Sequence, residues 1–107
     1  MIIQFNTNDV TFFEDDQEYF EKRLNDVIRF LGKEAGDDDS VVVHVTLEKN
    51  RHKSGDRFEA KAHMTSPNGG DFMAESNSET IKALADQIKD ILERQARKFH
   101  SKHIKSV

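Results

Sequence analysis

Five cations occupy the last fourteen positions of this 107-residue chain: Arg94, Arg97, Lys98, Lys102 and Lys105. His100 and His103 lie among them, and the stretch holds no carboxylate. Cations at this density displace counterions from a phosphate backbone, the chemistry of a polyanion contact. They also suit a solvated helix end, where each positive group complements the helix dipole by about 0.3 to 1 kcal/mol. The residues alone leave both readings open.

A second cationic group, Lys49, Arg51, His52, Lys53, Arg57 and Lys61, surrounds the glycine-containing string His52-Lys53-Ser54-Gly55-Asp56. Such a string reads as a hairpin connection, and hairpin tips often carry binding residues. Lysines on an exposed strand equally serve to discourage edge-to-edge association. Between these groups the chain is acidic. Formal charge is −8 over residues 1–48, +3 over 49–70, −4 over 71–93 and +5 over 94–107, which leaves −4 in total. Because exposed charges more than about 10 Å apart are largely screened at physiological salt, a polyanion responds to local patches rather than to the net value.

Other chemistry finds less support. There is no cysteine, which excludes disulfides and thiolate sites and is compatible with a reducing compartment. His44 and His63 fall on alternating segments that place them on one sheet face, and His100 and His103 are one helical turn apart. Neither pair has an evident third ligand, so no metal or other cofactor is expected. General acid-base work by His44, His63 and Glu59 is a weaker alternative, and the expectation is a protein that is not an enzyme. Asp37-Asp38-Asp39 lacks the spacing of a calcium loop, and no phosphate-binding glycine motif is present. No apolar run suggests a membrane span or signal peptide, so the expected location is the cytoplasm.

The elements that must position these residues follow from periodicity. Ile2 to Phe5 reads as a short strand ending in the turn-forming Asn6-Thr7-Asn8-Asp9. Phe20, Leu24, Val27, Ile28 and Leu31 recur at three and four, which predicts a helix over Glu14–Leu31, followed by a loop at Gly36 to Asp39. Val41, Val43, Val45 and Leu47, and then Phe58, Ala60, Ala62 and Met64, alternate with polar residues as half-buried strands do. Ser66-Pro67-Asn68-Gly69-Gly70 predicts a turn, and Phe72 and Ala74 a last short strand. Ser76 and Glu79 have capping-box spacing ahead of Ile81, Leu84, Ile88, Ile91, Leu92, Gln95 and Phe99, an apolar stripe predicting a helix to about His100. The expected fold is therefore α+β in the order β-α-β-β-β-α, one domain over residues 1–107, with two helices on one face of a four-stranded sheet. The residues beyond about 100 are expected to form a basic tail. The helix-tail cations and the hairpin cations are expected to share one rigid surface.

This order and several strings resemble the ribosome hibernation-promoting factor and ribosome-associated inhibitor family, in its short form. The strings are Asn6-Thr7-Asn8-Asp9-Val10, the helix with Phe20, Arg23, Leu24, Arg29 and Phe30, Val43 to Lys49, Ser66-Pro67-Asn68-Gly69, Ala74-Glu75 and Leu92-Glu93-Arg94-Gln95. The resemblance implies a double-stranded-RNA-binding-like fold and a partner in the small ribosomal subunit. Binding in the channel for messenger and transfer RNA would block translation by occlusion in stress and stationary phase. By position it implies ribosomal RNA contacts from Arg23, Arg29, Lys49, Lys89, Arg94, Arg97 and Lys98, to which the charge map adds Arg51, Lys53 and Lys102. It implies neither a membrane nor a small-molecule partner, and a monomer in isolation. The sequence departs from the family's pattern at Asp26, where a basic residue is common, and at Lys82, where a tyrosine is usual. The alternative class is a protein-interaction module whose acidic first half docks on a basic partner.

Overall fold

The computed structural model describes residues 2–28, 41–52, 55–67 and 69–105, with side chains described except at 28, 50–52, 55–56 and 100–105. Its elements are β1 (Ile2–Asn8), α1 (Glu14–Ile28), β2 (Val42–His52), β3 (Gly55–Thr65), β4 (Asp71–Ser78) and α2 (Ile81–Lys105). This is the expected β-α-β-β-β-α order. The strands form one sheet in the order β1-β2-β3-β4. β1 runs parallel to β2, and the two antiparallel pairs β2–β3 and β3–β4 make a meander. A parallel pair needs a crossover connection, which α1 supplies.

Alternation decides the faces. Val43, Val45 and Leu47 of β2, Ala60, Ala62 and Met64 of β3, and Phe72 and Ala74 of β4 are buried against the helices. They meet Phe20, Leu24 and Val27 of α1 and Ile81, Leu84, Ile88, Leu92 and Ala96 of α2 in one apolar cluster. The interleaved His44, Thr46, Lys61, His63, Met73 and Glu75 lie on the uncovered face.

The helices run side by side in the same direction, because Lys82 approaches Asp15 and Asp86 approaches both Tyr19 and Arg23. Both begin at the end of the sheet that carries the β2–β3 hairpin. From there α2 travels back along β4, with Gln87 beside Ser76, Gln95 beside Met73 and Phe99 against Phe72.

Several boundaries differ from the sequence reading. Asn6, Thr7 and Asn8 continue β1 in register with Thr46, Leu47 and Glu48 rather than turning. The turn comes at Asp9, whose φ is 57°. The hairpin ladder continues to the pair His52 and Gly55, which shortens the connection to residues 53–54. Ser76 belongs to β4, opposite Ala60, and does not cap α2. The cap is Thr80, whose Oγ1 accepts from the Ala83 amide at 3.2 Å. Gln95 leaves the apolar stripe to bond the outer edge of β4. Its Nε2 donates to the Met73 carbonyl at 2.7 Å, and its Oε1 accepts from the Met73 amide at 3.1 Å. The basic C-terminal segment continues α2 to Lys105 instead of leaving it as a tail. The predicted end of α1 and the loop at Gly36 to Asp39 lie outside the described residues.

Candidate RNA-binding surface

The outer face of α2 carries the strongest concentration of cations with described side chains. Arg94 and Lys98 are exposed and sit four residues apart, hence on the same side of the helix. Among the described residues neither forms an ion pair. Arg97, 61% exposed, lies 2.7 Å from Glu93 Oε1. Lys89 is only 14% exposed and pairs with the other Glu93 oxygen, with Asp90 at 3.7 Å. One largely buried carboxylate thus braces two cations two turns apart, which leaves Lys89 less available to a ligand than Arg94 or Lys98.

Arg23, the first-helix cation of the expected set with a described side chain, lies between the helices. Arg23 Nε donates to Asp86 Oδ1 at 2.8 Å, and its guanidinium lies 3.6 Å from Asp26. The Tyr19 hydroxyl donates to the same Asp86 oxygen at 2.7 Å. Arg23 therefore ties α1 to α2, and two carboxylates offset its charge. The Tyr19 hydroxyl is pushed above its ordinary pKa of 10.0, first by this hydrogen bond and then by burial and the negative charge of Asp86, with Arg23 opposing. Asp26 and Lys82, the two departures from the family pattern, both enter this seam: Asp26 on Arg23, and Lys82 4.0 Å from Asp15 with its ammonium 6.0 Å from the Tyr19 ring centroid.

The two basic groups do not share a surface. Phe72, against which Phe99 packs, pairs with Met64, and Met64 with Val43, nine residues before β2 ends at His52. At about 3.3 Å per strand residue, the hairpin tip stands roughly 30 Å along the sheet from that level. The cause is the reversal between β4 and α2, which begins the helix at the hairpin end and carries its cationic half away. Lys49 is half-buried near the hairpin end, beside Phe13 and Phe58. Arg51 lies in β2 and Lys102 in α2, with side chains outside the described set. Arg29 and Lys53 lie outside the described residues altogether.

His44 and His63 share the uncovered sheet face, as alternation predicted, and the register makes them direct cross-strand partners. His63 Nε2 lies 2.5 Å from Asp71 Oδ1. Among the described residues no three His, Asp or Glu side chains converge as a metal site requires. Nor is any described helix long and apolar enough to cross a membrane.

Sequence reasoning missed the Arg23–Asp86–Tyr19 seam, the Gln95 contact with β4 and an exposed aromatic, Phe13. The adjacent pair Phe12-Phe13 was a usable signal for the last, since two successive aromatics at a helix entrance cannot both point into one core.

The fold is shared with solved structures. A ribosomal subunit interface protein from Coxiella burnetii superposes with a TM-score of 0.72 at 20% identity, covering 94% of this chain and 99% of its own. The N-terminal domain of Protein Y from Thermus thermophilus does so with a TM-score of 0.72 at 22% identity, covering 92% and 99%. No curated protein matches the sequence. The sequence matches the family described as sigma 54 modulation protein / S30EA ribosomal protein over residues 3–104, nearly its whole length, and the chain belongs to that family.

Proposed function

We propose that this protein is a non-enzymatic ribosome hibernation factor of the cytoplasm. It lays the outer face of α2 against small-subunit RNA in the messenger and transfer RNA channel and inhibits translation by occlusion. Family membership supports ribosome association, and the observation that carries the RNA contact is the pair Arg94 and Lys98. Both are exposed, one turn apart and without an ion pair among the described residues, on a helix that continues to Lys105. Structured RNA is met largely through its shape, phosphates and 2′-hydroxyls, so cations held in fixed relation on one helix are suited to it. Arginine and lysine there need no catalytic partner, because occupancy alone excludes other ligands from the channel.

The test is co-sedimentation with purified small subunits. The double variant Arg94→Glu, Lys98→Glu is expected to lose binding, while its thermal unfolding matches wild type because both side chains are exposed. Wild-type binding is expected to fall steeply with salt, since each phosphate contact contributes about 0.7 to 0.9 to the slope of log K against log salt. Retained binding by the double variant, or binding indifferent to salt, overturns the proposal.

A further inference from the structure

The two outer edges of the sheet are finished differently. At β4 the Gln95 side chain bonds the Met73 amide and carbonyl, and Asp71 and Glu75 put charge on the strand. β1 has neither device. Its seven residues include no charge and no proline, and no described residue pairs with its outer side. An uncharged edge of this length is a template for another strand, which folded proteins ordinarily blunt with lysine, proline or a cover.

The register identifies which groups are offered, and to what. The Ile2 amide donates to the Val41 carbonyl at 2.8 Å, so the backbone groups of Ile2, Gln4, Asn6 and Asn8 turn toward β2. Those of Ile3, Phe5 and Thr7 turn outward. This outward set is symmetric about Phe5. In an antiparallel ladder, directly opposed residues of the hydrogen-bonded kind exchange both their bonds. A second β1 laid antiparallel, with Phe5 opposite Phe5, therefore sets Ile3 opposite Thr7 twice and satisfies every outward N–H and C=O of both strands. The two-fold axis of that pair stands perpendicular to the sheet, which keeps both helix layers on one face. There the second copy's Phe5 meets Phe5, whose ring already lies 4.8 Å from that of Phe12 and 5.7 Å from that of Phe20. On the other face Gln4 falls opposite Asn6 and Ile2 opposite Asn8, so no like charges meet across the strands. The flank of α1 turned away from α2 carries Gln17, Glu21 and Asn25, and the one carboxylate among these accepts from Gln17 at 3.2 Å.

We infer that the outer edge of β1 docks the same edge of a second copy of this chain, in an antiparallel homodimer centred on Phe5. The occupant is another copy because the offered groups and the uncharged side chains complement themselves under a two-fold axis, as an isologous contact requires. The dimer departs from the monomer that the family resemblance implies. It leaves the cationic face of α2 free, since that helix runs along β4 at the far edge, and the inference stands apart from the RNA contact proposed there. A contact of one strand pair is small, so association is reversible and depends on concentration.

The experiment is sedimentation velocity of the full chain, free of RNA, from micromolar to near-millimolar concentration. Wild type shifts from monomer to dimer across that range. Gln4→Lys with Asn6→Lys sets lysine against lysine at both cross-strand positions and stays monomeric. Gln4→Lys with Asn6→Glu sets lysine against glutamate and dimerises at least as strongly as wild type. Both positions are exposed, so melting temperatures stay unaltered. Arg94→Glu with Lys98→Glu dimerises as wild type does, which separates this contact from loss of small-subunit binding. By amide hydrogen exchange, Phe5 and Thr7 gain protection as concentration rises, while Gln4 and Asn6 are protected throughout. The inference is overturned if wild type stays monomeric, or if the double-lysine variant dimerises as wild type does. It is equally overturned if the lysine-glutamate variant stays monomeric, if the Arg94 and Lys98 variant loses the dimer, or if the Phe5 and Thr7 amides gain no protection in it.

Discussion

A single carboxylate, Asp86, organises the seam between the helices. It accepts from Tyr19 at 2.7 Å and from Arg23 at 2.8 Å, so one side chain on α2 holds two on α1. Arg23, expected to reach RNA, is thereby held in the seam between the helices. Tyr19 is the chain's only tyrosine, and there is no tryptophan, so tyrosinate absorbance reports this site alone. Replacing Asp86 with alanine removes both the acceptor and the negative charge that raise the Tyr19 pKa, and the titration midpoint is expected to fall toward 10.0. The sign for stability follows. A hydroxyl whose pKa is raised by folding contributes stability that is fully present below 10.0 and lost as pH climbs through the folded value. Wild type is therefore expected to lose stability across that alkaline interval, and the Asp86→Ala variant to lose less. A midpoint unmoved by the substitution would show that Asp86 is not the cause.

At the scale of elements, the start of α2 separates two serine-type residues that look alike in sequence. Thr80 Oγ1 accepts from the Ala83 amide, one of the donors that a helix start leaves free, and its carbonyl accepts the first intrahelical bond, from Leu84. Ser76 sits four residues earlier in β4, where its hydroxyl donates to Gln87 at the surface. Thr80→Ala is expected to destabilise the protein by about 0.5 to 2 kcal/mol, the usual loss for an N-cap. Ser76→Ala is expected to lose less, about 0.5 kcal/mol, as surface substitutions do. Chemical denaturation of the two variants compares them directly, and the reverse order would restore Ser76 as the cap. The capping-box spacing misled because β4 runs longer than its two apolar residues suggest. Its pairs with β3 continue from Ala60 opposite Ser76 to Phe58 opposite Ser78, and those ladder bonds hold residues that local propensity assigns to a helix entrance.

Over the whole molecule, charge is divided between two ends of a body whose Cα extents are 52 × 24 × 16 Å. The helix starts and Phe13 share one end with the cationic β2–β3 hairpin, and the exposed Arg94 and Lys98 lie toward the other. Lys49 stands near the hairpin end, about 16 Å along the sheet from the level at which Gln95 bonds Met73. If both contact ribosomal RNA, they do so independently, because sites more than about 10 Å apart with no shared partner add in free energy. The losses in small-subunit affinity for Lys49→Ala and Arg94→Ala are therefore expected to sum in the double variant, measured by co-sedimentation at several salt concentrations. A double variant no weaker than the worse single one would show that the two residues act as one site.

The order of elements and most of the core were legible in the sequence, because periods of two and of about 3.6 are imposed by burying one face of a strand or helix. Val43, Val45 and Leu47, like Leu84, Ile88 and Leu92, are buried as their spacing requires. Local clustering likewise identified the cations of α2. The Glu93 pairs with Lys89 and Arg97 are local, at four-residue spacing, but the contacts of Arg23 with Asp86 across 63 positions and of Gln95 with Met73 across 22 were not legible. Nor did spacing along the chain reveal that the hairpin and the tail of α2 face opposite ends. That follows from the direction in which α2 returns along β4, which only packing of the apolar stripe against the sheet determines.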